Sequence, residues 1–144
     1  MREEKLIGTW KLVSATYRRP NGDKIDYLGD QPRGALMYDT RGNMSIQLMR
    51  LDRPRFALDD RMGGAPAETK TAFDGYLGYF GTYTVDEQKK TVTHHIEGCT
   101  FPNWVGVDQM RFFELAGDQL ILRTTTLYIQ GGDAVGEIIW KRAG

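Results

Sequence analysis

The stretch TVTHHIEGCTFPNWVGVDQMRFFELAGDQLILRTTT, residues 91–126, predicts three consecutive β-strands. Its last two strands meet at Gly117-Asp118, a dipeptide that tolerates the positive φ of a tight hairpin turn. This turn sets the register of the pairs Leu115–Leu120, Phe113–Leu122, Arg111–Thr124 and Gln109–Thr126. Because side chains alternate between faces, these pairs share one surface that is apolar beside the turn and polar farther away. A small barrel that encloses a ligand cavity needs such an inner wall.

Composition narrows the classes of protein that the chain can form. A chain of 144 residues predicts a single domain over residues 1–144. The 19 basic and 19 acidic residues balance, so the sequence predicts no nucleic-acid partner. A polybasic run and an apolar stretch of about 20 residues are both absent from the sequence, so no membrane partner is expected.

Two features bear on the compartment. The opening MREEKLIGTW is charged and lacks the pattern of a signal peptide. Cys99 is the single cysteine and has no partner for an internal disulfide, which favours a cytoplasmic location. A lone cysteine in a strand is either a nucleophile or a small buried hydrophobe, and the second interpretation is the more common.

The remaining strands are predicted from alternation and turn residues. Residues 8–19 form a strand, with Trp10, Leu12, Ser14 and Thr16 on one face and Lys11, Val13, Ala15 and Tyr17 on the other. Residues 34–39 and 43–50 form a hairpin whose inward set is Leu36, Tyr38, Met44, Ile46 and Leu48. Residues 78–86 and 91–100 form the next hairpin, which places Tyr79, Gly81 and Tyr83 beside His94 and Ile96. The last strand, residues 135–142, is expected to pair with the first and close the sheet.

One interval departs from the strand pattern. Residues 51–66 are densely charged, and a loop of that length is usually functional or disordered. Residues 66–73 predict a short helix with Pro66 in its first turn and Gly75 near its end. The helix is expected to plug or cross one end of a barrel. Trp104 is either an aromatic gate at the open end or a core plug.

His94 and His95 are the most conspicuous polar pair. Adjacent strand residues point to opposite faces, so the two histidines cannot chelate one metal together, and we predict no metal site and no cofactor. His94 is the inward residue. It is a hydrogen-bonded wall residue or, alternatively, an axial ligand of haem. His95 is expected to pair with Glu97 on the outer face.

Arg111 carries most of the functional information. A charge in a partly dry cavity is costly unless it is paired. One hypothesis is that Arg111 binds a carboxylate, enolate or phenolate of a ligand; the other is that it bonds backbone carbonyls or an acid such as Asp59 or Asp60. The catalytic residues are unassigned, but His94, Tyr83 and Arg111 are candidates for general acid–base chemistry of an isomerase or cyclase.

Several segments carry a family resemblance. They are LIGTWKLVS (residues 6–14), GALMYDTRGNMS (34–45), GTYTVD (81–86), TVTHHIE (91–97), PNWVG (102–106) and IWKR (139–142). In this order the chain resembles the bacterial and fungal lipocalin-like domain family, a group of calycin-type β-barrels. The resemblance implies an all-β fold: an antiparallel, roughly eight-stranded barrel with one short helix between the fourth and fifth main strands. It also implies that Trp10 packs at the closed end under a late arginine, Arg142.

Together these inferences predict binding of a small hydrophobic or aromatic molecule that bears a carbonyl or anionic group. The predicted ligand-binding residues are Tyr38, Tyr79, Tyr83, His94, Trp104, Gln109, Arg111, Thr124 and Thr126. The predicted closed end contains Trp10, Leu12, Leu115, Leu120, Leu122 and Trp140. Met110 and Phe112 point outward, so we expect the helix or a second subunit of a homodimer to cover them.

Overall fold

The computed structural model describes residues 5–144. Within them the elements are β1 (Gly8–Arg18), β2 (Lys24–Ile25), β3 (Arg33–Tyr38), β4 (Asn43–Met49), α1 (Pro66–Asp74), β5 (Tyr76–Asp86), β6 (Thr91–Cys99), β7 (Asp108–Ala116), β8 (Gln119–Thr124), β9 (Leu127–Ile129) and β10 (Gly132–Arg142). A single 3-10 turn, Pro102–Trp104, lies between β6 and β7.

The strands close into a barrel because β1 pairs with β3 along one edge and with β10 along the other. Eight strands form the antiparallel wall in the order β1, β3, β4, β5, β6, β7, β8, β10, and the short β2 and β9 extend β1 and β10. Helix α1 lies between β4 and β5. The predicted all-β, eight-stranded lipocalin-like barrel is therefore confirmed, and each of its eight wall strands is paired on both sides.

The two hairpins that were predicted in most detail have the expected registers. The five inward residues of the β3–β4 hairpin are all buried. In the β7–β8 hairpin, Arg111 pairs with Thr124, Phe113 with Leu122 and Leu115 with Leu120, across a turn where Gly117 has a φ of 60°.

The predicted pair Gln109–Thr126 is wrong. β8 ends at Thr124, and Thr126 is exposed beside the outward side chains of Arg18 and Val135.

The predicted division of β1 into two faces is also wrong, because the strand contains a β-bulge. Leu12 pairs with Trp140 and Ser14 pairs with Ile139, so Val13 is an extra residue, and its side chain is 57% exposed. A bulge changes the face of every later side chain in its strand. Tyr17 therefore points into the barrel.

The closed end is built around Trp10. Its indole ring is fully buried, and its Nε1 donates to the carbonyl oxygen of Leu6 at 2.9 Å. The guanidinium carbon of Arg142 lies 4.2 Å from the centroid of this ring, and Arg142 Nη1 donates to the Ile7 carbonyl oxygen at 2.8 Å. The arrangement expected from the family resemblance is thus present, and cation–π attraction adds to hydrogen bonding there.

Helix α1 lies at the opposite, open end. The carboxylate of Glu68 accepts hydrogen bonds of 2.9 Å from the backbone N–H groups of Ala65 and Ala57, which fixes the start of the helix and the preceding loop. The helix packs against β5 rather than β7. Within residues 5–144, no helix is long and apolar enough to cross a membrane.

The position of α1 corrects one expectation. The helix does not cover Met110 and Phe112, which are 36% and 43% exposed on the outer face of β7. Their coverage by a second subunit stays a prediction.

Candidate ligand-binding site

The lumen of the barrel contains a cavity of about 720 Å³. One part of its wall is apolar and is made of Ile46, Leu48, Leu122, Ile138 and Trp140. The other part is polar and is made of Tyr17, Tyr79, His94, Arg111 and Thr124. The change from apolar to polar lining, which the β7–β8 hairpin predicted, is therefore present in the lumen.

His94 lies between two tyrosines. Its imidazole is fully buried, with Nε2 2.6 Å from the hydroxyl oxygen of Tyr38 and Nδ1 2.6 Å from that of Tyr79. Burial and the nearby Arg111 cation hold the pKa of His94 well below its usual range. Burial also raises the pKa of both tyrosines, so at neutral pH the Tyr38–His94–Tyr79 triad is uncharged.

Arg111 is held in place by its neighbours on β7. Its side chain is buried, and Nη1 donates to Oε1 of Gln109 at 3.2 Å and to the carbonyl oxygen of Met110 at 3.1 Å. Burial raises the pKa of Tyr79 above its usual range, and the adjacent guanidinium makes this rise smaller. The alternative that Arg111 bonds a backbone carbonyl is thus confirmed at Met110. Among residues 5–144 no carboxylate forms an ion pair with Arg111, so the pairing with Asp59 or Asp60 is wrong.

Tyr83 and Gly81 have other roles than the sequence suggested. The hydroxyl of Tyr83 donates to the carbonyl oxygen of Asp39 at 2.7 Å, and the ring packs on Tyr38 behind the cavity wall. A Cβ on Gly81 would lie 1.9 Å from the backbone oxygen of His95. Gly81 is thus required by close backbone approach in the β5–β6 ladder and leaves no space for a ligand.

The structure brings five of the nine predicted ligand-binding residues to the cavity: Tyr79, His94, Trp104, Arg111 and Thr124. The other four, Tyr38, Tyr83, Gln109 and Thr126, do not line it. Tyr38 and Gln109 instead contact lining residues, since they bond to His94 and Arg111.

Sequence reasoning missed Tyr17. Its ring lines the cavity, and it occupies the space above Gly136, where an added Cβ would lie 2.5 Å from the Tyr17 ring. Thr124 Oγ1 accepts a 2.8 Å hydrogen bond from the Gly136 backbone N–H and so helps to hold this part of the wall. In the structure Tyr17 pairs with Gly136, a large ring opposite a glycine. The sequence alone does not show this pair, because the register after the bulge must be known first.

The mouth of the cavity is bordered by α1 and charged side chains. Arg50 bridges Asp26 at 3.0 Å and Asp52 at 2.9 Å, which ties the segment after β2 to the end of β4. Trp104 is half-buried at the rim, with its ring 6.3 Å from Tyr79 and 5.9 Å from Phe101. Of the 51–66 loop, Asp52 and Arg53 reach the cavity.

The remaining histidine interactions bear on metal and haem binding. His95 lies outside and bonds Asp108 at 2.8 Å and Thr84 at 3.0 Å, so the predicted His95–Glu97 pair is wrong. Residues 5–144 contain no cluster of three metal-ligating side chains. His94 does not fit an axial haem ligand, because both of its ring nitrogens already hold short hydrogen bonds to tyrosines.

The burial of His94 predicts a pH dependence of stability. Its pKa is lowered on folding, so between pH 6.5 and the folded-state pKa the unfolded chain binds the extra proton. The free energy of unfolding should therefore fall with decreasing pH by up to about 1.4 kcal/mol per pH unit in this window. Urea denaturation at pH 7.5, 6.5 and 5.5 measures this change in the free energy of unfolding with pH. His94→Gln should remove most of the pH dependence, which is the slope of the free energy against pH.

Tyr83→Phe is the matched control, because it deletes the hydroxyl hydrogen bond to Asp39 and keeps the ring that packs on Tyr38. It should lower stability by about 1 kcal/mol at every pH and leave the slope unchanged. An unchanged slope in His94→Gln would show that other groups cause the pH dependence.

Lipocalins form closed, eight-stranded antiparallel barrels that hold one small ligand, and this chain has that architecture. The chain belongs to the lipocalin-like domain family, whose model matches residues 7–143. It is 32% identical over 106 residues to the 4'-hydroxy-3'-methoxypropiophenone carrier protein ppsC of Aspergillus oryzae, covering 69% of this chain and 96% of the relative. Among solved structures it is similar to the REP1-NXSQ fatty acid transporter, with a TM-score of 0.43, 14% identity and 98% of each chain covered.

Proposed function

We propose that this barrel binds a small hydrophobic or aromatic molecule bearing a carbonyl or anionic group. The observation that carries the proposal is Arg111: a buried guanidinium in the polar part of a half-apolar cavity, with no carboxylate partner among residues 5–144. Such a cation is stabilised by an incoming acceptor, and charge-assisted hydrogen bonds are about twice as strong as neutral ones.

The relative supports an aromatic ligand. The name of the Aspergillus oryzae protein gives its cargo as an aryl ketone with a phenolic hydroxyl. A cavity of about 720 Å³ lies in the usual range for small-molecule sites, and an aryl ketone matches its combination of apolar wall and polar donors. We propose that this chain carries a compound of the same class.

Binding is better supported than catalysis. The candidate catalytic set of His94, Tyr83 and Arg111 is not assembled at the cavity, since the Tyr83 hydroxyl bonds the Asp39 carbonyl oxygen. His94 is uncharged at neutral pH and both of its nitrogens are engaged. A general base needs a free nitrogen within reach of the substrate. A cytoplasmic location and a homodimer remain predictions from the sequence.

Isothermal titration with 4'-hydroxy-3'-methoxypropiophenone tests the proposal. We expect one site with a Kd on the order of 1 μM, which corresponds to about −8 kcal/mol. Leu127→Trp adds bulk at a lining position and should weaken binding at least tenfold. Val135→Trp places the same indole ring on the outer face of β10, where the native side chain is 46% exposed, and should leave the affinity unchanged. Absence of heat at about 1 mM ligand, or equal effects of both variants, would contradict luminal binding of this class.

A further inference from the structure

Within the triad, the direction of the hydrogen bonds can be assigned. A neutral imidazole carries a hydrogen on one nitrogen and a lone pair on the other. One tyrosine must therefore donate to His94, while the other accepts from it. The tyrosine that accepts keeps its own hydroxyl hydrogen for a different partner.

Tyr38 and Tyr79 are almost equally buried, at 2% and 3% exposed, so access to the cavity decides which of them donates. Tyr38 is 2% exposed and does not line the cavity, and His94 is the only hydrogen-bond partner that residues 5–144 offer to its hydroxyl. If Nε2 carried the hydrogen, the Tyr38 hydroxyl hydrogen would be buried without an acceptor, which is strongly unfavourable. Tyr38 therefore donates to Nε2, and the hydrogen of the ring lies on Nδ1.

This tautomer of His94 determines the direction of the Tyr79 hydroxyl hydrogen. Nδ1–H donates to the Tyr79 oxygen at 2.6 Å, so the hydroxyl hydrogen of Tyr79 is directed away from His94. Tyr79 lines the cavity next to Arg111, whose guanidinium has donors only. This polar corner of the lumen then presents two adjacent donors.

We propose that Tyr79 is a specificity-determining hydrogen-bond donor, oriented by Tyr38 through His94, and that it selects ligands whose polar end is an acceptor oxygen such as a ketone carbonyl. The inference rests on the proposed binding function. His94 and Tyr38 are positioning residues, since they act on the ligand through Tyr79. A ligand of equal size without an acceptor oxygen leaves both donors unpaired in the cavity and binds more weakly.

The first test needs no ligand. ¹⁵N NMR of the full chain labelled at histidine should show the His94 hydrogen on Nδ1, with Nε2 as the bare nitrogen. Tyr38→Phe removes the hydroxyl that donates to Nε2, so the Nε2–H tautomer should become populated. In Tyr83→Phe, the control, the Nδ1–H tautomer should persist, because the Tyr83 hydroxyl bonds Asp39 instead. A predominant Nε2–H tautomer in the native protein would overturn the assignment.

The second test uses propiophenone and propylbenzene, which have similar size and differ by the carbonyl oxygen. The native protein should bind propiophenone roughly tenfold or more tightly than propylbenzene. Tyr79→Phe should weaken propiophenone binding by roughly fivefold to tenfold and should not weaken propylbenzene binding, because it removes a hydroxyl that propylbenzene leaves unpaired. Tyr38→Phe should reduce the preference for propiophenone over propylbenzene in part, and Tyr83→Phe should leave this preference unchanged.

The outcomes separate the two proposals. Equal losses for both compounds in Tyr79→Phe, or no loss for propiophenone, would overturn the donor role while leaving luminal binding intact. Failure of the native protein to bind either compound or the larger aryl ketone would overturn the proposed function, and the NMR tautomer would still decide the direction of the hydrogen bonds.

Discussion

Arg111→Met is expected to weaken binding of an aryl ketone or an aromatic carboxylate by about 10- to 100-fold, because a hydrogen bond to a charged group contributes about 1.5–3 kcal/mol. The same substitution should raise the free energy of unfolding of the ligand-free protein by about 1–4 kcal/mol, because it removes a buried charge that has no ion-pair partner among residues 5–144 and whose desolvation is costly. Stability and affinity should therefore move in opposite directions. Titration calorimetry and urea denaturation measure the two effects.

Arg123→Met is the matched control on the adjacent strand. Arg123 bonds Glu114 at 3.1 Å and Glu137 at 3.0 Å on the outer face of the barrel. Its loss should leave the affinity unchanged and change stability by no more than about 1 kcal/mol, as for exposed ion pairs. If Arg111→Met lowered stability and left the affinity intact, Arg111 would be a structural residue and the proposed binding mode would be wrong.

Trp10→Ala is expected to lower the free energy of unfolding by about 3–5 kcal/mol, the usual cost of removing a buried tryptophan from a core. The indole fills the closed end, donates to Leu6 and supports the Arg142 guanidinium, so the substitution removes packing, a hydrogen bond and a cation–π contact together. Since the free energy of unfolding of small proteins is only about 5–15 kcal/mol, this substitution would remove much of it. Urea denaturation at 25 °C measures the loss.

Trp104→Ala provides the comparison within the same residue type. Trp104 is half-buried at the rim of the cavity, so its truncation should cost clearly less stability than that of Trp10 and should instead weaken ligand binding. Trp10 at the closed end would then contribute mainly to stability, and Trp104 at the open end mainly to ligand binding. Equal losses of stability would show that Trp104 is a core plug, the alternative that the sequence left open.

The sequence was most informative where local rules fix geometry. A two-residue turn at Gly117-Asp118 sets the phase of both flanking strands, so Arg111 was placed beside Thr124 and inside the barrel from the chain alone. The alternation along β3 and β4 identified the buried set because one face of that hairpin is consistently apolar. Both inferences depend on contacts close in sequence.

The features that sequence reasoning missed depend on distant partners or on irregular backbone. The bulge in β1 has no signature in the residues around Val13, and it decided that Tyr17 lines the cavity. Nothing near His94 shows that its two partners are Tyr38 and Tyr79, because these lie on separate strands and meet only after closure. Hydrogen-bond direction within the triad requires the burial of each hydroxyl, which is a property of the folded molecule.

The extra residue in β1 also bears on how such a barrel can diverge. Deleting Val13 would restore strict alternation and leave the other pairs of β1 with β10 in place, so Tyr17 would stay opposite Gly136 and inside the barrel. Loss of the bulge with Val13 retained would instead turn Tyr17 outward and Thr16 inward, which exchanges a large phenol for a small hydroxyl in the lumen. The pairing of β1 at this bulge, rather than the length of the strand, therefore decides which of the two side chains faces the cargo.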